Sequence, residues 1–443
     1  MLKYILFLSF FINLSLSAQE TLTVVAVGEA EREQDTITII RSSHKDLTKR
    51  QEKLLNELFD LMESDFDFYR DIFEVNKGSF SSTDGLKSKY IFENKVLKFG
   101  KEFRINFAVV ELATKKQVYS EQQTINFSSI RPLGHSLTDN AFMALTGKKS
   151  IFKTKILFLS DRTSARRKLR KEIYIMDFDG FRKQRITHKN ALIVSPVISP
   201  DNNQILYSVI EAKWKTYKEG TGNIQRKVQN INLYLYDLTT RKTRLISGLS
   251  GINSGGVFNK DGTGVYVTLS NLKNADIYYI DLKTLKKRRI TSHFSDDVDP
   301  HMNNDETLLT FLSGRPGKAM IYTLDPRGVE KSVRRISFVG DFNAGPRFNP
   351  EGTEIVFSSW VDNRFDIYRI GSNGRNLVRL TKNFGSNEEA WYSPDGQFIV
   401  FTSQRVINSK RDVQDIYIMN RDGEIIRKIT ENYGKTYTPR WSN

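Results

Sequence analysis

The chain has no cysteine. That excludes disulfide staples, thiol catalysis and cysteine-based metal sites, so stability has to come from a large packed core. Histidine is scarce as well. His44, His135, His188, His293 and His301 are the full set, and none of them forms an H-x-x-x-H pair. No G-x-S-x-G nucleophile elbow, P-loop or G-x-G-x-x-G stretch occurs, which removes the common hydrolase and nucleotide-binding signatures. No apolar run beyond the first twenty residues is long enough to cross a membrane. The opening, MLKYILFLSFFINLSLSAQE, pairs Lys3 with a short apolar run, small residues and a polar break. It reads as a secretory signal peptide over residues 1–18, cut after Ala18 or Ser17, with an uncleaved anchor as the alternative. The mature chain is expected to be exported.

The dominant feature is a repeat. Six short strands are built around a tyrosine: EIYIMD, NLYLYD, DIYYID, MIYTLD, DIYRIG and DIYIMN, with Tyr174, Tyr234, Tyr278, Tyr322, Tyr368 and Tyr417. Most intervals are about 45 residues, the period of a propeller with one four-stranded blade per repeat. After each tyrosine comes a second strand with a basic run and a β-branched end, such as KRRIT. A third segment carries one large residue before a tight turn: Ile198, Phe258, Met302, Phe348, Tyr392 and Trp441. Turns such as SPDG suit the positive φ of Gly and the backbone-bonding side chain of Asp. A buried strand follows, apolar without alternation, as in EIVFSS.

The last repeat stops on its first strand, and the missing partner strand is KILFLSDR at 155–162. Both ends must therefore complete one blade together, leaving no open edge. The alternative, an open stack of sheets, strands half a blade at each end. The expected fold is mainly β: a six-bladed β-propeller over residues 151–443, closed by both ends of the repeat region and preceded by a small α/β domain.

That first domain spans 19–150. Residues 21–27 and 36–41 read as strands. Residues 46–62 read as an amphipathic helix with Leu47, Leu54, Leu58 and Leu61 on one face. Phe66, Phe68, Tyr69 and Phe73 are expected to pack that helix. Residues 103–112 and 117–127 form a hairpin over 113–116. A helix over 135–145 ends at Gly147.

The formal net charge is +16. On an exported protein this points to acidic partners or an anionic envelope surface rather than nucleic acid. Lysine and arginine on solvated outer blade edges account for much of it, as in RRKLRK at 166–171 and KKRR at 286–289. The segment SHFSDDVDPH gathers His293, Asp296, Asp297, Asp299 and His301. It reads either as a metal site or as an ordinary polar loop, and the loop is the better reading; no metal, cofactor or catalytic group is assigned. The loops entering the innermost strands carry Asn253, Asp297, Asp299, Asn343, Glu388, Glu389 and Tyr437. This mixed polar and acidic rim around a funnel suits docking of a protein loop, or is simply solvated.

The ordered combination resembles the TolB family, the periplasmic propellers of the Tol-Pal envelope system, across essentially the whole chain. HSLTDNAFMALTGKKSIFKTKILFLSDR resembles that family's helix ending in L-T-G, then F-x-T/S-K/R-I and the first strand. EIYIMDFDGFRKQRIT resembles its D-x-D-G hairpin, here Asp177, Asp179 and Gly180, and VSPVISPDN its S-P-x-W-S-P-D-G strand and turn. The second blade departs by an insertion at 214–229, read as a basic surface loop. The resemblance implies a non-enzymatic scaffold, monomeric and peripheral to the membrane, that supports outer-membrane integrity and constriction at division. The implied partners are a Pal-like lipoprotein on the funnel rim and a TolA-like protein on the N-terminal segment, with room for other outer-membrane proteins. That segment includes Gln19, Glu20, Thr21, Leu22, Thr23, Val24 and Val25. It either adds to a partner's sheet edge or forms the first strand of its own domain. The competing function is a ligand-binding or peptidase-associated propeller without catalytic residues of its own.

Overall fold

The computed structural model describes residues 33–442, apart from 83–84, 166–167, 220–221, 271–273 and 409–410. The expected leader, the strand at 21–27 and the partner segment Gln19, Glu20, Thr21, Leu22, Thr23, Val24 and Val25 lie outside the described residues.

The small domain is a five-stranded sheet, ordered β2-β1-β3-β4-β5. Its strands are β1 (Asp35–Ile40), β2 (Phe73–Phe80), β3 (Tyr90–Phe99), β4 (Glu102–Glu111) and β5 (Lys116–Thr124). The helix α1 (Lys49–Phe66) starts at a reciprocal capping box between Thr48 and Gln51. The helix α2 (Ile130–Thr146) ends at Gly147, whose φ of 69° is the left-handed cap expected there. It begins five residues earlier than the hydrophobic pattern indicates, because Pro132 sits in the first turn, where its missing N–H is tolerated. Neither β2 nor β3 was anticipated. The edge strand β2 contains Asn76, Lys77 and Gly78, poor strand formers that take their conformation from the parallel pairing with β1.

The remainder is a ring of six four-stranded sheets. Blade 1 joins Thr436–Trp441 to Lys155–Ser160, Glu172–Asp177 and Gln184–Arg185. Innermost strands of blades 2 to 6 are Leu192–Ile198, Asn253–Phe258, Asp297–Met302, Asn343–Phe348 and Ser386–Tyr392. Second strands are buried on both faces within the sheet, as over 156–160 and 398–403, which explains their unbroken apolar runs. At the closure Trp441 lies opposite Ile156 and Thr436 opposite Ser160. Lys155 and Ser442 lock the end: Lys155 N–H donates to the Ser442 side-chain Oγ at 2.8 Å, and Ser442 N–H to Lys155 O at 2.8 Å. Adjacent blades approach closely at some turns. Gly180, with φ 89°, would place a Cβ 2.4 Å from the Ile429 carbonyl, so no larger residue fits there.

The insertion at 214–229 is not a loop. Strands Gln204–Glu219 and Gly222–Asp237 stay paired as far as Glu219 opposite Gly222. Its basic, glycine-containing composition suggested a loop, but Trp214, Thr216, Tyr217, Ile224 and Val228 favour a strand. Leu192, the start of the innermost strand, pairs with Ile210. Everything past Ile210 therefore rises beyond the blade on the face where innermost strands begin. Strand Phe398–Asn408 does the same in blade 6, because Ser386 pairs with Gln404.

The small domain packs on the opposite face. Phe68 and Tyr69 meet Phe178 and Phe398, with ring centroids at 5.0 Å (Phe68–Phe178) and 5.1 Å (Tyr69–Phe398). Tyr69 Oη donates to Asp395 at 2.6 Å, and Arg427 lies 4.4 Å over Phe68. One apolar core runs through both parts. The aromatic cluster thus packs its helix, as expected, and also seats the domain on the ring.

Trp441 is buried and its Nε1–H donates to Thr154 Oγ1 at 2.7 Å. Trp441→Ala is expected to destabilise by about 3–5 kcal/mol through lost packing at the closing blade. Denaturant unfolding measures this, and an unshifted midpoint would contradict the role of closure.

Candidate functional site: the tunnel mouth

Six innermost strands enter the ring with one shared local geometry. At the entry of each strand one equivalent position, Ile193, Asn253, Asp297, Asn343, Asn387 or Thr436, is buried. Each polar one among Asn253, Asn343, Asn387 and Thr436 clasps the Ser or Thr six residues earlier. Ser247 Oγ donates to Asn253 Oδ1 at 2.6 Å, and Asn343 Nδ2 donates to Ser337 Oγ at 2.7 Å. Asn387 Nδ2 donates to Thr381 Oγ1 at 3.2 Å, and Thr430 and Thr436 share a hydrogen bond at 3.2 Å. Ser337, Thr381 and Thr430 also receive a backbone N–H from their own blades, as Ile321 N–H donates to Ser337 Oγ at 2.8 Å. This is why the strand that follows each tyrosine strand, the fourth of its blade, ends its motif in Ser or Thr, as in KRRIT. Asp297 is held by Arg315 at 2.9 Å.

These positions correct the reading of the rim. Asn253, Asp297 and Asn343 are fully buried and fasten the loops between blades. A docked partner has no surface of theirs to touch.

Two residues further along, each strand bulges. Ser195, Gly255, Asp299, Gly345, Glu389 and Thr438 all have positive φ, from 49° to 62°. Non-glycine residues disfavour this region, most of all β-branched Thr438, so the bulge geometry overrides local preference. The next-but-one positions are Val197, Val257, His301, Arg347, Trp391 and Arg440. Here chemistry concentrates. The guanidinium carbons of Arg347 and Arg440 lie 5.3 and 4.9 Å from the Trp391 ring centroid. The His301 ring meets Trp391 edge-on at 5.0 Å.

Each arginine reaches back to a bulge carboxylate of the preceding blade. Arg347 Nη2 donates to Asp299 at 2.7 Å and Arg440 Nη2 to Glu389 at 2.9 Å. Their Nη1 atoms donate to the carbonyls of Pro346 and Pro439. Burial pulls the Arg440 pKa down from its ordinary value. Burial, then the charges of Arg347 and Arg440, push His301 well below 6.5, so it is neutral and accepts from Phe348 N–H at 3.2 Å. The cluster is electrically balanced, two guanidiniums against two carboxylates, and holds no activated nucleophile.

Asp299, Glu388, Glu389 and Tyr437 are the sequence-identified residues that keep partial exposure at the mouth. Tyr437 Oη donates to Asp161 at 3.3 Å, and Lys171 Nζ sits 3.3 Å from its ring centroid. Asn387, Arg347, Trp391, Arg440 and the role of His301 escaped sequence reasoning. Aligning the six strands position by position from the large residue backward is the signal that brings them together.

The SHFSDDVDPH residues diverge. His293 Nδ1 accepts from Ser295 N–H, Asp296 from Ala275 N–H, and the others bond as above. The metal-like grouping among the described residues is elsewhere, at the domain junction: Asp65, His135 and Asp179. His135 Nδ1 lies 2.9 Å from Asp65, and its Nε2 3.7 Å from Asp179. Arg131 also binds Asp179, so the carboxylates already have cationic partners and the donor set fits an ion-paired seam better than a metal.

The family model described as "TolB beta propeller domain" matches residues 142–365 and 339–442. The "Tol-Pal system protein TolB" of Ruthia magnifica subsp. Calyptogena magnifica is 25% identical over 369 residues, covering 83% of this chain and 82% of that protein. A "Protein TolB homolog" of Chlorobium luteolum is 28% identical over 341 residues, covering 76% and 71%. The crystal structure of TolB from Acinetobacter baumannii matches with a TM-score of 0.73 and 22% identity, over 93% of this chain and 97% of that one. At that identity the likeness concerns the fold.

Burial lowers the His135 pKa, but Asp65 and Asp179 outweigh it and the net shift is upward from 6.5. The stabilisation from protonated His135 is complete below about pH 6.5 and is lost as pH rises through the higher folded value. His135→Asn is therefore expected to lower Tm more at pH 6 than at pH 9. Calorimetric scans of both proteins at the two pH values check this.

Proposed function

We propose that this chain, which belongs to the TolB family, is a periplasmic protein-binding scaffold of the Tol-Pal system, without catalytic activity. In this reading the tunnel-mouth face docks a Pal-like lipoprotein, and the N-terminal segment, residues 19–28, engages a TolA-like protein. The protein links the inner-membrane complex to the outer envelope and so supports outer-membrane integrity and constriction at division. The relative named as a Tol-Pal system protein supports the system assignment. Among the described residues no helix is long and apolar enough to cross a membrane, which is consistent with a peripheral protein.

The observation that carries the docking face is where exposed apolar side chains gather. Phe294, Phe338 and Phe342 stand in loops entering innermost strands, and Trp360, Val406 and Ile407 in hairpins on the same face. Phe294 is 83% exposed and Val406 78%. Solvent-facing aromatics beside a funnel whose two arginines are already paired favour a protein partner over a small ionic substrate. The two raised strand pairs, 211–219 with 222–229 and 405–408 with 411–413, flank this surface and enlarge it.

Calorimetric titration of the mature protein with the soluble domain of its own organism's Pal-like lipoprotein tests the reading. Saturable one-to-one binding is expected, with affinity altered by deletion of residues 19–28. No binding by either form would overturn it. The double substitution Val406→Asp, Ile407→Asp is expected to weaken binding about tenfold or more, since buried interface anchors dominate affinity, and to leave Tm unchanged. Charge reversal at Glu389 is expected instead to lower Tm, because it strands buried Arg440 without its counter-charge.

A further inference from the structure

Between blades 5 and 6 a groove of about 750 Å³ opens on the tunnel-mouth face. Trp360, Phe365 and Phe384 form its apolar walls, and Glu388 stands at its inner end. Trp360 and Phe365 meet edge to face at 5.0 Å.

Glu388 differs from the other acidic residues of the innermost strands. Asp297 has Arg315, Asp299 has Arg347 and Glu389 has Arg440. Glu388 has no ion pair and no side-chain hydrogen bond among the described residues, although it is half-buried. The charged groups beside it and around the groove bond elsewhere or, for Arg405, stack on rings, and none is paired with Glu388 among the described residues. Glu389, the next residue on its strand, is committed to Arg440. Arg364, from blade 5, donates to Asp366 and Asn383 at 3.2 Å each. Arg405, from the blade 6 hairpin, lies 4.0 Å over Phe384 and 5.0 Å over Tyr417. Burial, then repulsion from Glu389, raises the Glu388 pKa to about 7. A carboxyl that is partly dehydrated and lacks a counter-charge is the complement of a cation delivered from outside.

We infer that this groove receives a lysine or arginine side chain of the docked protein partner, with Glu388 as its counter-charge. The assignment rests on the docking reading given above. The aliphatic stem of such a side chain packs on Trp360 and Phe365, and the charged end gains both the carboxylate and the aromatic faces. An anionic or purely apolar occupant would leave Glu388 buried without compensation. A consequence is proton linkage. Near neutral pH Glu388 is partly protonated, the arriving cation favours the ionised form, and binding releases a proton. Affinity therefore rises as pH increases through about 7.

The test is calorimetric titration of the full mature protein with the soluble Pal-like lipoprotein domain at pH 6 and pH 8, in buffers of different ionisation enthalpy. The wild type is expected to bind about fivefold to tenfold more tightly at pH 8, with net proton release, as loss of a partly buried charge pair predicts. Glu388→Gln is expected to bind about tenfold more weakly at pH 8 and to lose both the pH dependence and the proton release, with Tm no lower than the wild type. A second titration uses tetralysine at millimolar concentration, followed by tryptophan fluorescence. It is expected to saturate with the wild type at pH 8 and to disappear in Glu388→Gln. Tetralysine binding without lipoprotein binding upholds the groove and overturns the partner. Lipoprotein binding that is unchanged by Glu388→Gln overturns the groove and upholds the partner. Failure of both titrations overturns both.

Discussion

The pairing of Thr436–Trp441 with Lys155–Ser160 makes the other contacts possible. Six twisted sheets packed face to face leave two unsatisfied edges unless the first and last blades are one and the same. Here the last strand supplies the inner edge of the first blade, so each sheet has a neighbour on both sides. The same strand also carries Arg440 into the tunnel mouth and Trp441 against Thr154, beside the seat of the small domain. One six-residue strand thus closes the ring, completes the charged cluster and borders the domain junction.

The mouth is built by repetition with variation. The bulge and its positive φ recur in all six innermost strands, whatever the side chain. Once the backbone is so constrained, the side chains at the bulge and two residues beyond it are free to differ. Three blades use that freedom to place Arg347, Trp391 and Arg440 together, and two bulges supply the matching carboxylates. Because the cluster neutralises itself, it adds no net charge to the tunnel mouth. Glu388, which takes no part in that balance, stands out against it.

The fold was legible because its signals are local and repeated. The tyrosine strands, the β-branched fourth strands and the large residue before each turn each serve a backbone need that recurs in every blade. The half blade at each end was readable by counting. The site was less legible, because its members come from separate blades and meet only after closure. Asn253, Asp297 and Asn343 stand at the right height along their strands, but chain position does not reveal direction, and they turn inward to clasp the loops. Asp299 and Glu389 turn toward the arginines instead. The raised hairpin of blade 2 was misread because lysine and glycine content resembles a loop, whereas cross-strand pairing sustains it as a strand. Edge strand β2 was missed for a similar reason, its conformation being imposed by its neighbour.

The register that sets Trp441 opposite Ile156 joins segments from the two ends of the propeller. Contacts so distant along the chain form late, since a long loop must close before they are rewarded. Until then Lys155–Ser160 presents a bare hydrogen-bonding edge made almost wholly of apolar residues. Time, rather than final stability, is the exposed quantity: the interval before the last strand arrives is when this chain is most open to pairing with a wrong neighbour or to cleavage. A chain held by a chaperone through that interval, or one whose last strand is delayed, would differ in yield while its finished fold stayed the same.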